Sequence, residues 1–365
     1  MSTFTESEER IELRRQVARL ASGYGRAWFT ERARAGEKTI ELWMEIAKAG
    51  YLGVNIPEEY GGGGGGIGDV AAVCEELAAQ GCPLLMMVVS PAICGTVIAR
   101  YGTEAQKQQW LPGICDGTGT MAFAITEPDA GTNSHNITTT ARRDGDAWVL
   151  KGQKIYISGV DEAANVLVVA RAHDASTGKL KPCLFVVPTD APGFEYTAIP
   201  MEIVSPEQQF QVFIDDVRLP AEALVGDEDG GLVQLFAGLN PERIMAASFS
   251  TGLARHALEK ASTYAKERTV FKAPIGSHQA IAHPLAMAHI ENELARLMTQ
   301  KASALVDAGD DLAAGERPTW RSTPPLRPPS TPSTRPCRPT AATASRRSTG
   351  WPGCWSPPAP AGSPR

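Results

Sequence analysis

The sequence predicts an α+β fold in which helices precede and follow a block of short strands. Three changes of period predict it. Apolar residues recur at helical spacing through the first third, the period drops to two from Thr120, and helical spacing returns from Leu232 to Val306. The implied divisions are a helical domain at 1–118, a strand domain at 119–228 and a helical domain at 229–316, with an anomalous tail at 317–365. Strands so short and evenly spaced suit a small barrel or a sandwich.

Each element has a local signature. Thr5-x-x-Glu8 reads as a capping box ahead of Ile11, Leu13, Val17 and Leu20. Leu42, Ile46 and Ala49, with Trp43 beside them, form a second apolar face that Gly50, Gly53 and Pro57 end. Gly61 to Gly66 is a flexible loop; without a following Lys-Ser/Thr or a strand before it, it is no P-loop. Helices are expected at Asp69 to Gln80 and Ser90 to Tyr101, and Thr103-x-x-Gln106 caps a short one before Pro112. Asp144-Gly145-Asp146 is a hairpin turn between Ile137–Arg143 and Ala147–Ile157. Further strands are expected at 165–172, 183–188, 194–200 and 209–219, before Pro220, Gly226, Gly230 and Gly231.

Composition narrows the function classes. An apolar content of 43% over 365 residues is enough for one large core or two to three packed subdomains. A net charge of −6 leaves no electrostatic footprint for nucleic acid. No apolar run reaches the roughly 18 residues of a membrane span, and the acidic, polar start is unlike a signal peptide. The seven cysteines include no C-x-x-C pair and no histidine at metal-ligand spacing, so packed, reduced thiols in a cytoplasmic protein are expected, with no metal.

The chemistry-bearing stretch is Met121-Ala-Phe-Ala-Ile-Thr-Glu-Pro-Asp-Ala-Gly-Thr-Asn-Ser134, followed by Lys151-Gly-Gln-Lys-Ile-Tyr-Ile-Ser158. Singly, Thr126 reads as a strand-end hydroxyl and Tyr156 as a packed aromatic. Together the segments supply what a flat, polar-edged isoalloxazine ring needs: strand amides and hydroxyls for its edge and an aromatic for its face. The pair resembles the acyl-CoA dehydrogenase family, whose strands carry T-E-P-x-A-G-S and K-x-W-I-T at comparable spacing. Thr132 stands for that Ser, and Tyr156 and Ser158 stand for the Trp and Thr. Tyr101-Gly-Thr-Glu-Ala-Gln-Lys-Gln-Gln-Trp-Leu-Pro112 is similar to the family's G-T-E-x-Q-K-x-x-x-L-P.

The resemblance implies a helical domain, a central β-barrel and a C-terminal four-helix-type domain. It also implies FAD, an acyl-CoA substrate, an electron-transfer flavoprotein as acceptor and a homo-oligomer, tetramer or dimer. It assigns Phe123, Ile125, Thr126, Gly131, Thr132, Tyr156 and Ser158 to the flavin, with Thr132 also near substrate. Arg268-Thr-Val-Phe271, Ile275 and His278-Gln279 resemble R-x-x-F-G-x-x-I-x-x-x-Q. In the family that Arg, Phe and Gln reach the flavin pyrophosphate and adenine end of a neighbouring subunit; His278 is grouped with them here. Lys272 replaces the usual Gly and puts the local turn in doubt. Same-fold flavin monooxygenase or oxidase activity, and a catalytically silent remnant, are the competing functions.

Dehydrogenation of a thioester needs a carboxylate to take the Cα proton. Many relatives carry it in a late Y-E-G-T segment; a minority, the isovaleryl-CoA and long-chain type, carry it in L-x-x-E-R on the helix after the barrel. Leu239-Asn-Pro-Glu-Arg-Ile-Met245 occupies that place, making Glu242 the candidate base and Leu239, Asn240 and Arg243 substrate neighbours. Pro241 is compatible with a first helical turn, which would put Glu242 at a helix N-terminus, where the dipole lowers a carboxyl pKa. Burial by the acyl chain would have to outweigh it.

Residues 317–365 differ from the rest. They hold eight Arg but no Lys, Asp or Glu, and 13 of the 27 Pro, which leaves about −14 on the residues before them. So much Pro forbids a long helix, and the stretch reads as disordered. Reading from Arg317 one nucleotide earlier, with G or C in most free third positions, turns this stretch into A-N-M-A-K-Y-A-A-A-E and, further on, Q-T-H-G-G-N-G. The first is a helix-forming string; the second resembles the family's flavin-binding Q-x-x-G-G-x-G. The tail thus reads as the product of a frameshift near Glu316 that replaces the family's last helices. Sequencing the coding DNA is expected to return those strings in the neighbouring frame; any other codons there would refute the frameshift.

Overall fold

The computed structural model describes residues 6–310 except 174–177, 179 and 229. Its N-terminal part contains α1 (Glu8–Ser22), α2 (Gly25–Ala35), α3 (Ile40–Lys48) and α4 (Ile67–Ala79). A π-helical segment, Val88–Gly95, runs directly into α5 (Thr96–Tyr101), and α6 (Glu104–Asp116) follows. Thr5 lies outside the described residues, and the cap of α1 is Ser7, whose hydroxyl accepts from Arg10 N at 3.2 Å. The Thr103–Gln106 box forms as expected, with both reciprocal bonds present. Contrary to the sequence expectation, α6 continues through Pro112 to Asp116, because its buried Leu111, Ile114 and Cys115 keep the helical face packed.

The strand region is β1 (Met121–Ala124), β2 (Thr140–Asp144), β3 (Ala147–Ser158), β4 (Asn165–His173), β5 (Leu180–Pro188), β6 (Phe194–Ile199), β7 (Gln209–Pro220) and β8 (Leu224–Val225). They form one sheet in the order β6-β7-β3-β2-β4-β5-β8, with β1 branching off parallel to β4. The hydrogen-bonded path is open, yet Phe194 and Phe210 at one end share a cluster with Cys183 and Phe185 at the other. The sheet therefore curves around its own core. Gly145, at φ 67, takes the first position of the two-residue β2–β3 turn, where a positive φ favours glycine.

The C-terminal part is α7 (Gly231–Glu267), a two-residue-strand hairpin of β9 (Thr269–Val270) and β10 (Ala273–Pro274), and α8 (Gln279–Asp307). Pro241 thus lies inside a 37-residue helix and not in its first turn. The reason is tertiary. A central Pro costs about 3 kcal/mol, but Leu235, Ala237, Leu239, Ile244 and Met245 around it are all buried. Two glycines let α7 approach its neighbours. A Cβ on Gly238 would come within 3.0 Å of Ile93 and Val97, and one on Gly252 within 2.3 Å of the Glu75 carbonyl.

Buried ion pairs join the two helical parts. Arg14 of α1 reaches Glu75 at 2.8 Å and Glu76 at 2.9 Å on α4. Arg255 of α7 bonds both carboxylates, and Arg296 of α8 reaches Glu75 at 2.9 Å. At the far end of α8, the Asp307 carboxylate accepts from Ile67 N at 2.6 Å and Gly68 N at 3.1 Å, capping α4 from another element. The five described cysteines are free and buried, and burial pushes the Cys82 and Cys115 thiols up to about 11. Among the described residues no helix is long and apolar enough to cross a membrane.

The doubtful turn at Lys272 does form. Phe271 and Lys272 occupy its two central positions with φ of 51° and 66°, the left-handed pair of a type I′ hairpin. Neither residue type favours that region. Replacing Lys272 by Gly should raise unfolding stability by about 0.5–1 kcal/mol in denaturant titration, strain relief exceeding the added chain entropy. A loss of stability would contradict this turn geometry.

Candidate active site

The site is built where the chain leaves β1 and crosses to β3. After Ala124 the backbone continues through Ile125 and Thr126, and the Thr126 carbonyl accepts from Ile155 N at 2.9 Å. That bond requires β3 to bulge: its register with β7 shifts between Lys154 and Ile157, and Tyr156 takes a φ of 59°. The bulge turns Tyr156 outward, leaving it 40% exposed beside Thr126. Among the described residues nothing engages the Thr126 N–H or its hydroxyl. Two residues on, the Ser158 hydroxyl donates to Gln209 Oε1 at 3.0 Å. Free donors on an edge beside a half-exposed ring are the features that the flat, polar-edged isoalloxazine requires.

Beneath this edge lies an ion pair that sequence reasoning missed. Lys154 is fully buried, and its ammonium donates to Glu127 Oε1 at 2.9 Å and to the Ile125 carbonyl at 3.1 Å. Glu127 also accepts from the amides and hydroxyls of Thr138 and Thr139 at 2.6–3.0 Å. Burial opposes the Glu127 charge, but the attraction of Lys154 and the bonds from Thr139 and Thr138 outweigh it, holding the carboxyl down at about 2. Burial pushes the Lys154 ammonium down to about 8 against that same attraction. The sequence signal was available: a Lys interrupting the apolar β3 and a Glu directly after Thr126. Their pairing was not, since 27 residues separate them.

The remaining flavin candidates of this segment fall around the same edge. Ile125 and Phe123 are half-buried and pack against the cluster containing Met121 and Ala130. Glu127 and Ala130 exchange backbone bonds at 3.1 Å, and the turn delivers Gly131 and Thr132 to an exposed loop.

α7 meets this edge through shared apolar packing, because Leu235 and Leu239 belong to the cluster that holds Met121 and Ala130. Leu239 and Asn240 are buried. Glu242 lies one turn beyond Leu239, and it is half-buried. Burial raises its carboxyl above the ordinary 4.5, opposed by the positive charge of Arg243. Because Glu242 is eleven residues past the start of α7, the dipole effect expected of a first turn does not apply. Arg243 is folded back along the helix, donating to Asn240 Oδ1 at 3.3 Å with its guanidinium 5.4 Å from the Phe236 ring centroid. That posture fits a structural cation.

Arg268, Phe271, His278 and Gln279 do not join this cluster. All four are exposed at the far end of α7, roughly 40 Å along the helix from Glu242. Arg268 caps α7, His278 caps α8, and Phe271 is 92% exposed at the hairpin tip. The residues of the tail lie outside those the structure describes.

Comparison with known proteins agrees with this layout. Profiles of the acyl-CoA dehydrogenase N-terminal, middle and C-terminal domains match residues 7–118, 122–216 and 229–317. The last match stops where the Pro- and Arg-rich tail begins. The chain is 63% identical over 315 residues to acyl-CoA dehydrogenase FadE12 of Mycobacterium tuberculosis (strain ATCC 25618 / H37Rv), covering 86% of this chain and 81% of that protein. The fold is similar to butyryl-CoA dehydrogenase from Megasphaera elsdenii, with a TM-score of 0.79 and 28% identity over 87% and 85% of the two chains. It is also similar to a glutaryl-CoA dehydrogenase from Mycobacterium smegmatis in complex with FADH2, with a TM-score of 0.78 and 27% identity over 86% and 81%. With three domain profiles in order and a relative this near, the chain belongs to the acyl-CoA dehydrogenase family.

Proposed function

We propose that this chain binds FAD along the Thr126–Tyr156 edge and dehydrogenates an acyl-CoA thioester with Glu242 as the base. The observation that carries the reading is the pairing of unengaged donors on Thr126 with a desolvated carboxylate on α7, a helix whose Leu235 and Leu239 share one apolar cluster with Met121 and Ala130. FAD, when bound, supplies the acceptor for the hydride leaving Cβ. The Thr126 amide and hydroxyl would hold the polar edge of its ring, with Tyr156 against a face and Ser158 oriented by Gln209. Glu242 takes the Cα proton. Its raised pKa narrows the gap to that weak carbon acid, each unit being worth at most ~1.4 kcal/mol of barrier. Electrons then leave to an electron-transfer flavoprotein in this reading.

The far group of Arg268, Phe271, His278 and Gln279 would serve a flavin held by a second copy, since one chain cannot fold it back onto Thr126. An Arg fork suits the pyrophosphate there. α8 carries an exposed stripe of Met287, Ile290, Leu294, Leu297 and Met298 that no described residue covers. This is the face the family's last helices would cover, so flavin retention, assembly or turnover is impaired in this chain.

Flavin content and oligomeric mass of the purified chain, followed by anaerobic stopped-flow bleaching with acyl-CoAs of different lengths, test the reading. In the wild type kcat/KM should fall on acidification with an apparent pKa above 4.5, because a base must be unprotonated and burial raises Glu242. Glu242→Gln should reduce flavin at least about a hundredfold more slowly and lose that acid limb. Undiminished reduction in this variant would remove Glu242 from the role.

A further inference from the structure

The peptide between Ile125 and Thr126 has an unusual set of partners. Its carbonyl oxygen accepts from the buried Lys154 ammonium at 3.1 Å. Its N–H, which belongs to Thr126, faces no described partner. The next carbonyl, that of Thr126, is taken by Ile155 N at 2.9 Å. Consecutive residues of β3 therefore fix both carbonyls flanking Thr126, one through a side-chain cation and one through the backbone, and leave its amide pointing free. The counter-charge sits off to one side, because the Glu127 carboxylate is also bonded by four donors of Thr138 and Thr139.

A cation on a peptide oxygen withdraws electron density along the O–C–N unit and makes the N–H a stronger donor, an effect that low local dielectric preserves. A flavin that has accepted a hydride carries added negative charge at the pyrimidine end of its ring. A strengthened donor there favours the reduced over the oxidised state.

We propose that Lys154 is a positioning residue for the flavin, which orients and polarises the Ile125–Thr126 peptide and thereby raises the reduction potential of the bound ring. This rests on the reading that Thr126 faces the flavin. Lys154 touches neither substrate nor cofactor; it acts through that one peptide, with Glu127 as the opposing charge.

The test uses the full chain and three variants: Lys154→Met, Glu127→Gln, and the double variant, which removes both charges and keeps the fold measurable if the unpaired carboxylate unfolds the first. FAD is titrated into each, and midpoint potentials are taken by equilibration with redox dyes. Lys154→Met, or the double variant in its place, should lower the preference for reduced over oxidised flavin about tenfold, which for a two-electron couple is about 30 mV more negative. Glu127→Gln removes the attraction that keeps the buried Lys154 ammonium charged. Relative to the unmodified chain it should therefore lower the potential near neutral pH as Lys154→Met does and recover on acidification, whereas Lys154→Met should show no recovery. Unshifted potentials in Lys154→Met and the double variant, or a Glu127→Gln shift that acidification leaves unchanged, overturn the proposal.

A second readout needs no flavin. In the flavin-free chain the Thr126 amide proton resonance should move upfield when Lys154 is replaced, and an unmoved resonance in a folded variant overturns the proposal. If the unmodified chain takes up no FAD, as the altered tail would produce, the amide shift alone decides the polarisation.

Discussion

Two adjacent carboxylates on α4, Glu75 and Glu76, constrain the whole helical assembly. Both are buried, and a desolvated carboxylate is tolerable only when cations and hydrogen bonds surround it. The cations come from three other helices: Arg14 on α1, Arg255 on α7 and Arg296 on α8. For Glu76, burial opposes the charge, but Arg255 and Arg14 win and hold its carboxyl below the ordinary range. Removing any one partner strands the others, at a cost of about 3–5 kcal/mol for a buried pair. N- and C-terminal helices must therefore assemble together. The placement of Glu242 on its helix relative to α4 follows from that assembly, because α7 carries both Arg255 and Glu242.

How much of this was legible beforehand depended on range. Period, turn chemistry and caps act over a few residues, so the helix–sheet–helix order, the Gly145 turn and the Thr103 box could be read directly. The candidate pair Thr126 and Ser158 could be singled out because each sits in a short motif. Pro241 was misjudged because a local rule places Pro in a first turn, whereas the buried run from Leu235 to Met245 overrides the rule. The hairpin between α7 and α8 was hidden inside what looked like one helical pattern. Lys154 and Glu127 were both within quoted motifs, yet only the bond from Ile155 N to the Thr126 carbonyl, which lays the segment after β1 along β3, shows that they meet. Gln209, the partner of Ser158, sits on β7 and carries no motif at all.

The two groups of cofactor candidates occupy opposite ends of a single rod. α7 spans roughly 55 Å, with Glu242 nearer its start and Arg268 at its end. Among the described residues, Phe271 and the apolar stripe of α8 stand exposed. The family match and the sheet architecture rest on residues before the Pro- and Arg-rich stretch.

Gly238 and Gly252 have a consequence for α7 as a moving part. They are fourteen residues apart, close to four whole turns, so they lie on nearly one line of the helix surface. One notch receives Ile93 and Val97, the other the backbone of α4 at Glu75. Together they act as a key in two slots: α7 can neither roll about its axis nor slide along it without driving its backbone into side-chain methyls at one slot and into backbone at the other. Glu242 is one turn from the first notch, so its bearing is indexed by two hydrogen atoms where methyl groups would otherwise stand. The carboxylate is aimed by what is missing from its helix as much as by what it carries.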